Sequence, residues 1–152
     1  MIDHSATGPV TVTLIFGRSH SPISWAIRFF TWSPWSHVAV AYDGRVIESQ
    51  APRGVQSGTE MAMRARYSET ATVEFHHPDP DALIAAMRSQ LGKPYDYGAI
   101  AGFLFRRDWA SPQRWFCSEL VAWAFSATGR PLFRSNEMDR VTPGHIWMLT
   151  GN

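Results

Sequence analysis

The sequence is short of cysteine, of net charge and of long apolar runs, and each shortage excludes something. One cysteine, Cys117, in 152 residues rules out an intrachain disulfide, so a reducing compartment is allowed. Lys plus Arg number 14 and Asp plus Glu number 13. With that balance, and with Arg64, Arg66, Arg106, Arg107, Arg114, Arg130 and Arg134 scattered, no basic stripe marks a nucleic-acid partner. Nothing approaches the ~18 consecutive apolar residues of a membrane span, and no integral membrane segment is expected. The opening Met1-Ile2-Asp3-His4-Ser5 lacks the basic start and apolar stretch of a secretory signal. A cytoplasmic location follows as an expectation, with delivery elsewhere by another route left open. Repeats, low-complexity tracts and long linkers are also missing, so residues 1–152 read as a single domain. A chain of that length hides roughly 70% of the surface its unfolded form exposes.

What is present is globular and aromatic. Hydrophobic residues make up 45% and charged residues 18%, which is not the balance of a disordered chain. Seven Trp, nine Phe and four Tyr must line a core or a groove. Val10 to Phe16 reads as a β-branched strand closed by Gly17. Ser21 to Trp32 opens with Ser then Pro and places Ile23, Ile27 and Phe30 on one face, as a helix does. His37 to Tyr42 and Arg45 to Gln50 flank Asp43-Gly44, the two-residue signature of a hairpin. Ala51 to Gly58 reads as a loop, Glu60 to Arg66 is ambiguous, and Thr70 to His76 reads as a strand. Asp79 to Leu91 reads as a helix capped by Gly92, and Tyr95 to Phe105 also reads as helical. Cys117 to Ala127 is a helix ended by Gly129 and Pro131, and Thr142 to Leu149 a last short one. Strands between helical ends give an α+β class: a small antiparallel sheet with helices packed against it.

Cys117 falls at the first turn of an apolar helix, where unpaired N–H groups and the positive dipole end stabilise a thiolate. That suits a nucleophile, against the plainer reading of a small buried hydrophobe. A thiol nucleophile needs a base. Of the six histidines, His37 opens an otherwise apolar strand. With a two-residue Asp43-Gly44 turn, Ala39 opposes Glu48 and His37 opposes Gln50. His37, Ala39 and Ala41 then share a face with Val46, Glu48 and Gln50. Glu48 is the diagonal neighbour of His37 and Gln50 the direct one, so either can orient the imidazole. The small Ala39 and Ala41 leave room above this face. His76 and His77 are adjacent on a strand and point apart. No Cys/His/Asp cluster has metal-ligand spacing, so no metal and no cofactor are expected.

Two stretches now carry a resemblance: Gly92-Lys93-Pro94-Tyr95-Asp96-Tyr97-Gly98, and Trp115-Phe116-Cys117-Ser118-Glu119-Leu120-Val121. Together they resemble the core of the NlpC-type cell-wall peptidases. Because His37 precedes Cys117, the order is similar to the circularly permuted branch, the YiiX/YaeF-like papain-like amidases. Ser36 to Val40 and Val46 to Ser49 match that branch's His and Glu strands. The lecithin retinol acyltransferase family is a more distant permuted relative, and its Asn-Cys-Glu-His-Phe motif is absent. The resemblance covers roughly residues 10 to 149. It implies a permuted papain-like fold with Cys117 as nucleophile, His37 as base, Glu48 as orienter (Gln50 as the alternative) and Tyr95 as a hydroxyl donor to an oxyanion. It also implies amide hydrolysis, with a peptide or muropeptide as substrate. Trp35 and Trp115 are candidates for groove walls. Two rivals stand beside this reading. One is the same site acting on lipid acyl esters or amides, hinted at by Trp25, Phe29, Phe30 and Trp32. The other is a non-catalytic binding module that keeps the scaffold.

Overall fold

The computed structural model describes residues 10–98, 101, 114–134 and 141–150. Five strands form one antiparallel sheet: β1 (Thr11–Arg18), β2 (His37–Tyr42), β3 (Arg45–Gln50), β4 (Gly54–Thr59) and β5 (Glu69–His76). They lie in the order β4-β3-β2-β1-β5. The helices are α1 (Pro22–Thr31), α2 (Glu60–Ala65), α3 (Pro80–Arg88), α4 (Cys117–Ala127) and α5 (Pro143–Met148). The class is α+β, as the element order predicts.

The hairpin has the register that the Asp43-Gly44 turn dictates: Tyr42 opposes Arg45, Ala41 opposes Val46 and Val40 opposes Ile47. Both turn residues take positive φ, 46° at Asp43 and 73° at Gly44, as a primed turn requires. Alternation then divides the strand residues between two layers. Leu14, Phe16, Val38, Val40, Ile47 and Val55 pack with α3, α4 and α5 residues in the main core. Ile15, Ala39 and Val46 form a second, smaller cluster with Met63 of α2, and Tyr67 and Ala41 pack against it. The room expected above the two alanines is therefore filled by Met63 and Tyr67.

The sequence expectation fails at two places. Ala51 to Gly58 is not a loop: Gly54–Thr59 pairs along all of β3, from Gln50 opposite Gly54 to Arg45 opposite Thr59. Gly, Gln and Ser at 54, 56, 57 and 58 have low strand propensity, and tertiary pairing overrides it. The helix expected from Tyr95 does not begin there. Tyr95 instead makes an isolated parallel bridge with Trp115, and helical backbone follows at Tyr97, Gly98 and Ala101. The remainder of that expected helix lies outside the described residues.

β4 matters because it holds the Tyr95 segment. Val55 N–H donates to the Lys93 carbonyl at 2.9 Å, and Gly92 N–H donates to the Val55 carbonyl at 3.0 Å. A Cβ at Gly54 would stand 2.2 Å from the Lys93 carbonyl oxygen, and its φ is +79°. Only glycine allows that approach in that conformation. Next, Trp115 N–H donates to the Pro94 carbonyl at 3.1 Å and Asp96 N–H to the Trp115 carbonyl at 3.2 Å. The same carbonyl accepts from the Ser49 hydroxyl at 2.5 Å. Tyr95 and the approach to Cys117 are thus tied to each other and to β3.

Candidate active site

Cys117 is the first residue of α4, with Phe116 as its N-cap in extended conformation. Phe116 offers no capping oxygen, so the cap comes from the other direction: Phe116 N–H donates to Glu119 Oε2 at 3.2 Å. The Ser118 hydroxyl donates to the Val141 carbonyl at 2.5 Å. Both polar residues after the cysteine therefore hold the helix start, and both are buried. The helix is buried on nearly all sides through Phe125, which fixes the cysteine against the sheet. The thiol donates weakly to the Ser36 carbonyl at 3.9 Å, one residue before His37.

His37 sits at the start of β2, opposite Gly17 of β1. Its Nε2 hydrogen-bonds to Glu48 Oε2 at 2.5 Å, the diagonal contact the hairpin register predicts. Burial pushes the imidazole's pKa down, but the charge of Glu48 and hydrogen bonds to Cys117 and Glu48 outweigh it. The result is a pKa pushed up to about 9. Burial would likewise raise the Glu48 carboxyl. His37 and then Arg66 reverse that, by charge and by hydrogen bond, and bring it down to about 2. Glu48 is 2% exposed, so its charge is sustained by these two cationic partners rather than by water. Gln50, the alternative orienter, is engaged elsewhere: its Oε1 accepts from Gln56 Nε2 at 2.5 Å.

Two residues join the site that the sequence reading missed. Arg66 donates to Glu48 Oε1 from the side away from His37. Tyr67 lies flat beside the imidazole, with ring centroids 5.3 Å apart and planes 13° apart. Gly17 makes that stacking possible, since a Cβ there would stand 2.7 Å from the Tyr67 ring. One signal was available for Arg66: a carboxylate at Glu48, flanked by Val46 and Ile47, needs a cation if it is buried. Nothing in the sequence marked Tyr67.

A cavity of about 360 Å³ opens over this cluster, lined by Ser19, Ile23, Ile27, Ser36, His37, Gln50, Ala51, Arg66, Tyr67 and Tyr95 among others. Burial, and after it the neighbouring Cys117, push the Tyr95 hydroxyl's pKa up. Burial and the Glu48 charge do the same for Tyr67. Both phenols are held in the protonated form. Trp35 and Trp115, expected as groove walls, lie elsewhere. Trp35 is in the core against Phe16 and Trp147. Trp115 packs on Trp123 and donates Nε1–H to Gln90 at 3.0 Å.

With this geometry in view, known proteins can be compared. No family description matches the chain, and no curated protein matches it. Among solved structures, the chain is similar to the metalloprotein yiiX of Escherichia coli O157:H7, with a TM-score of 0.60 and 24% identity. The match covers 80% of this chain and 67% of that one. The fold is yiiX-like. Within that fold the chain brings Cys117, His37, Glu48 and Tyr95 to one end of the sheet. No described helix is long and apolar enough to cross a membrane.

Proposed function

We propose that this chain is a cysteine hydrolase of the permuted, papain-like NlpC type, and that it cleaves an amide bond. The observation that carries the reading is the buried His37–Glu48 pair at 2.5 Å, next in sequence to the Ser36 carbonyl that the Cys117 thiol meets at a helix N-terminus, with His37 lining a cavity. That is the nucleophile, base and orienter arrangement of covalent catalysis. Cys117 Sγ, its proton passed to His37, attacks the carbonyl carbon, and the C=O electron pair moves to oxygen. The Tyr95 hydroxyl and the Cys117 backbone N–H receive that oxyanion. As the oxyanion collapses, the C–N bond breaks and the leaving nitrogen takes the proton from His37. Water, giving its proton to His37, attacks the thioester and releases the acid and Cys117.

The family resemblance makes a peptidoglycan stem-peptide amide the favoured substrate. A second reading is favoured by one observation: Ile23, Ile27 and Ala51 give the cavity an apolar side that suits an acyl chain of a lipid ester or amide. The yiiX neighbour is described as a metalloprotein. Among the described residues here, no three His, Cys, Asp or Glu side chains gather as a metal group, and His37 Nε2 is already held by Glu48. These residues do not fit a resident metal, and no step is routed through one. The test is to incubate the protein with muropeptides and, separately, with acyl-lipids, and to look by intact-mass spectrometry for an acyl adduct. An adduct on wild type that is absent from Cys117→Ala supports the hydrolase. A Cys117 inert to both substrates and to iodoacetamide returns the chain to a binding module.

A further inference from the structure

Among the described residues, the outer face of α1 is an aromatic surface that the site does not use. Its inner face is accounted for: Ser24 and Ile27 are buried, and the Ser24 and Ser36 hydroxyls hydrogen-bond at 2.6 Å. The outer face has no such use. Trp25 is 57% exposed, Phe29 58%, Phe30 41% and Trp32 92%. Three of these rings are contiguous rather than scattered. Trp25 stacks on Phe29 with centroids 5.1 Å apart and planes 12° apart, and Phe29 meets Phe30 edge-on at 5.1 Å. Isolated exposed apolar residues need no explanation, but a joined aromatic surface does.

Charge indicates what covers it. From His4 to Tyr42 the chain contains no Asp or Glu, while Arg18, Arg28 and His20 lie within that stretch. Arg18 is paired with Glu69. Arg28, in the last turn of α1, makes a hydrogen bond only to a neutral partner among the described residues, the Ser19 carbonyl at 3.2 Å. Trp and Phe on one face, a cationic side chain in the last turn and no carboxylate on the helix itself are the features of a helix that lies in a lipid headgroup layer. A patch of that charge is drawn to an anionic lipid surface rather than to a neutral one.

We infer that the outer face of α1 docks on an anionic lipid surface, with Trp25, Phe29, Phe30 and Trp32 entering the interface and Arg28 facing the headgroups. Position makes this consequential, because Ile23 and Ile27 of the same helix line the cavity over His37. A docked α1 holds the cavity mouth at the membrane surface, and the substrate then arrives from that surface. Docking itself does not depend on the hydrolase reading and is measured without catalysis.

The test is co-sedimentation of the full chain with vesicles of equal parts phosphatidylglycerol and phosphatidylcholine, beside vesicles of phosphatidylcholine alone. Wild type is expected to bind the anionic vesicles, more weakly in high salt, with a blue shift of its Trp emission. Trp25→Ala/Phe29→Ala is expected to lower the affinity on the order of tenfold or more, since each ring loses part of an interfacial burial. Arg28→Gln is expected to reduce the salt dependence. Cys117→Ala is expected to bind as wild type, so loss of catalysis and loss of docking are read separately. Trp32→Ala alters a residue 92% exposed and serves as the variant that keeps the fold. The inference is overturned if wild type ignores anionic vesicles, or if the aromatic variants bind unchanged. It is also overturned if the aromatic face instead mediates self-association that the same substitutions abolish without any vesicle binding.

Discussion

Among the described residues two histidines are buried, and they are shifted in opposite directions. His37 is 6% exposed and His77 0%. Burial acts on both in the same direction, disfavouring the charged form. At His37 a carboxylate and a thiol overcome it, and the pKa rises to about 9. At His77 burial and the Arg130 charge prevail over Asp79, and the pKa is lowered. His77 instead fits a neutral role. Its Nδ1 accepts from Asp79 N–H at 2.9 Å, and its Nε2 donates to the Thr128 hydroxyl at 2.8 Å. It fastens the end of β5 and the start of α3 to the end of α4. Depth of burial thus does not separate the histidine proposed as a base from a structural one. The partner on each ring nitrogen does.

The comparison is broken most directly by exchanging the two losses. His37→Ala is expected to lower kcat/KM by about 10³ or more, because the proposed proton-carrying group is gone, and to lower thermal stability too, because the buried Glu48 keeps only Arg66 as a charged partner. His77→Ala is expected to leave kcat/KM within about twofold while removing two buried hydrogen bonds. Equal losses of activity in the two variants would erase the distinction. Tyr95→Phe follows in size. If its hydroxyl meets the oxyanion, kcat falls about 10²–10³ with KM unchanged, and an unaltered rate would take Tyr95 out of the site.

Glu48→Gln sharpens the comparison by making His37 resemble His77. With its main upward influence removed, the His37 pKa falls. The chemical step needs a protonated imidazole for the leaving group, so wild-type kcat/KM should decline as pH rises through about 9. In Glu48→Gln that alkaline limb moves to lower pH, and the rate at neutral pH drops about 10- to 100-fold. A limb that stays in place, read from pH profiles of kcat/KM, would show that Glu48 does not set the charge of His37.

How much of this was readable beforehand differs between the two sides of the sheet. The hairpin was fully legible, because Asp43-Gly44 permits one turn and one register. It placed Glu48 and Gln50 both within reach of His37, and the structure gives the contact to Glu48, at 2.5 Å. The α4 boundaries were legible from the apolar period and the Gly129-Pro131 stop. Arg66 and Tyr67 were not. They reach His37 only because β4 extends the sheet and α2 folds back over Ala39 and Val46, and β4 lacks the β-branched alternation that signals a strand. The groove tryptophans were misplaced for a related reason. Composition shows that aromatics must be covered, but not by which layer, and Trp35 is covered by Phe16 and Trp147.

The smallest expected effect concerns the structural histidine alone. Thr128→Val keeps the shape of the side chain and deletes the acceptor for His77 Nε2–H. The cost should be about 1–2 kcal/mol, a fall in melting temperature of roughly 2–8 °C for a chain this size. The pH dependence supplies the sign. His77 has its pKa lowered by folding, so its contribution is present above the unfolded value near 6.5 and is lost as pH falls. His37 has its pKa raised to about 9, so its ion pair with Glu48 contributes fully below 6.5 and is lost as pH rises through about 9. Denaturation midpoints measured across that range should therefore fall away on both sides in wild type. His77→Gln should flatten the acid side only, and His37→Gln the alkaline side only. A histidine whose removal flattened the other limb would have been assigned the wrong charge state.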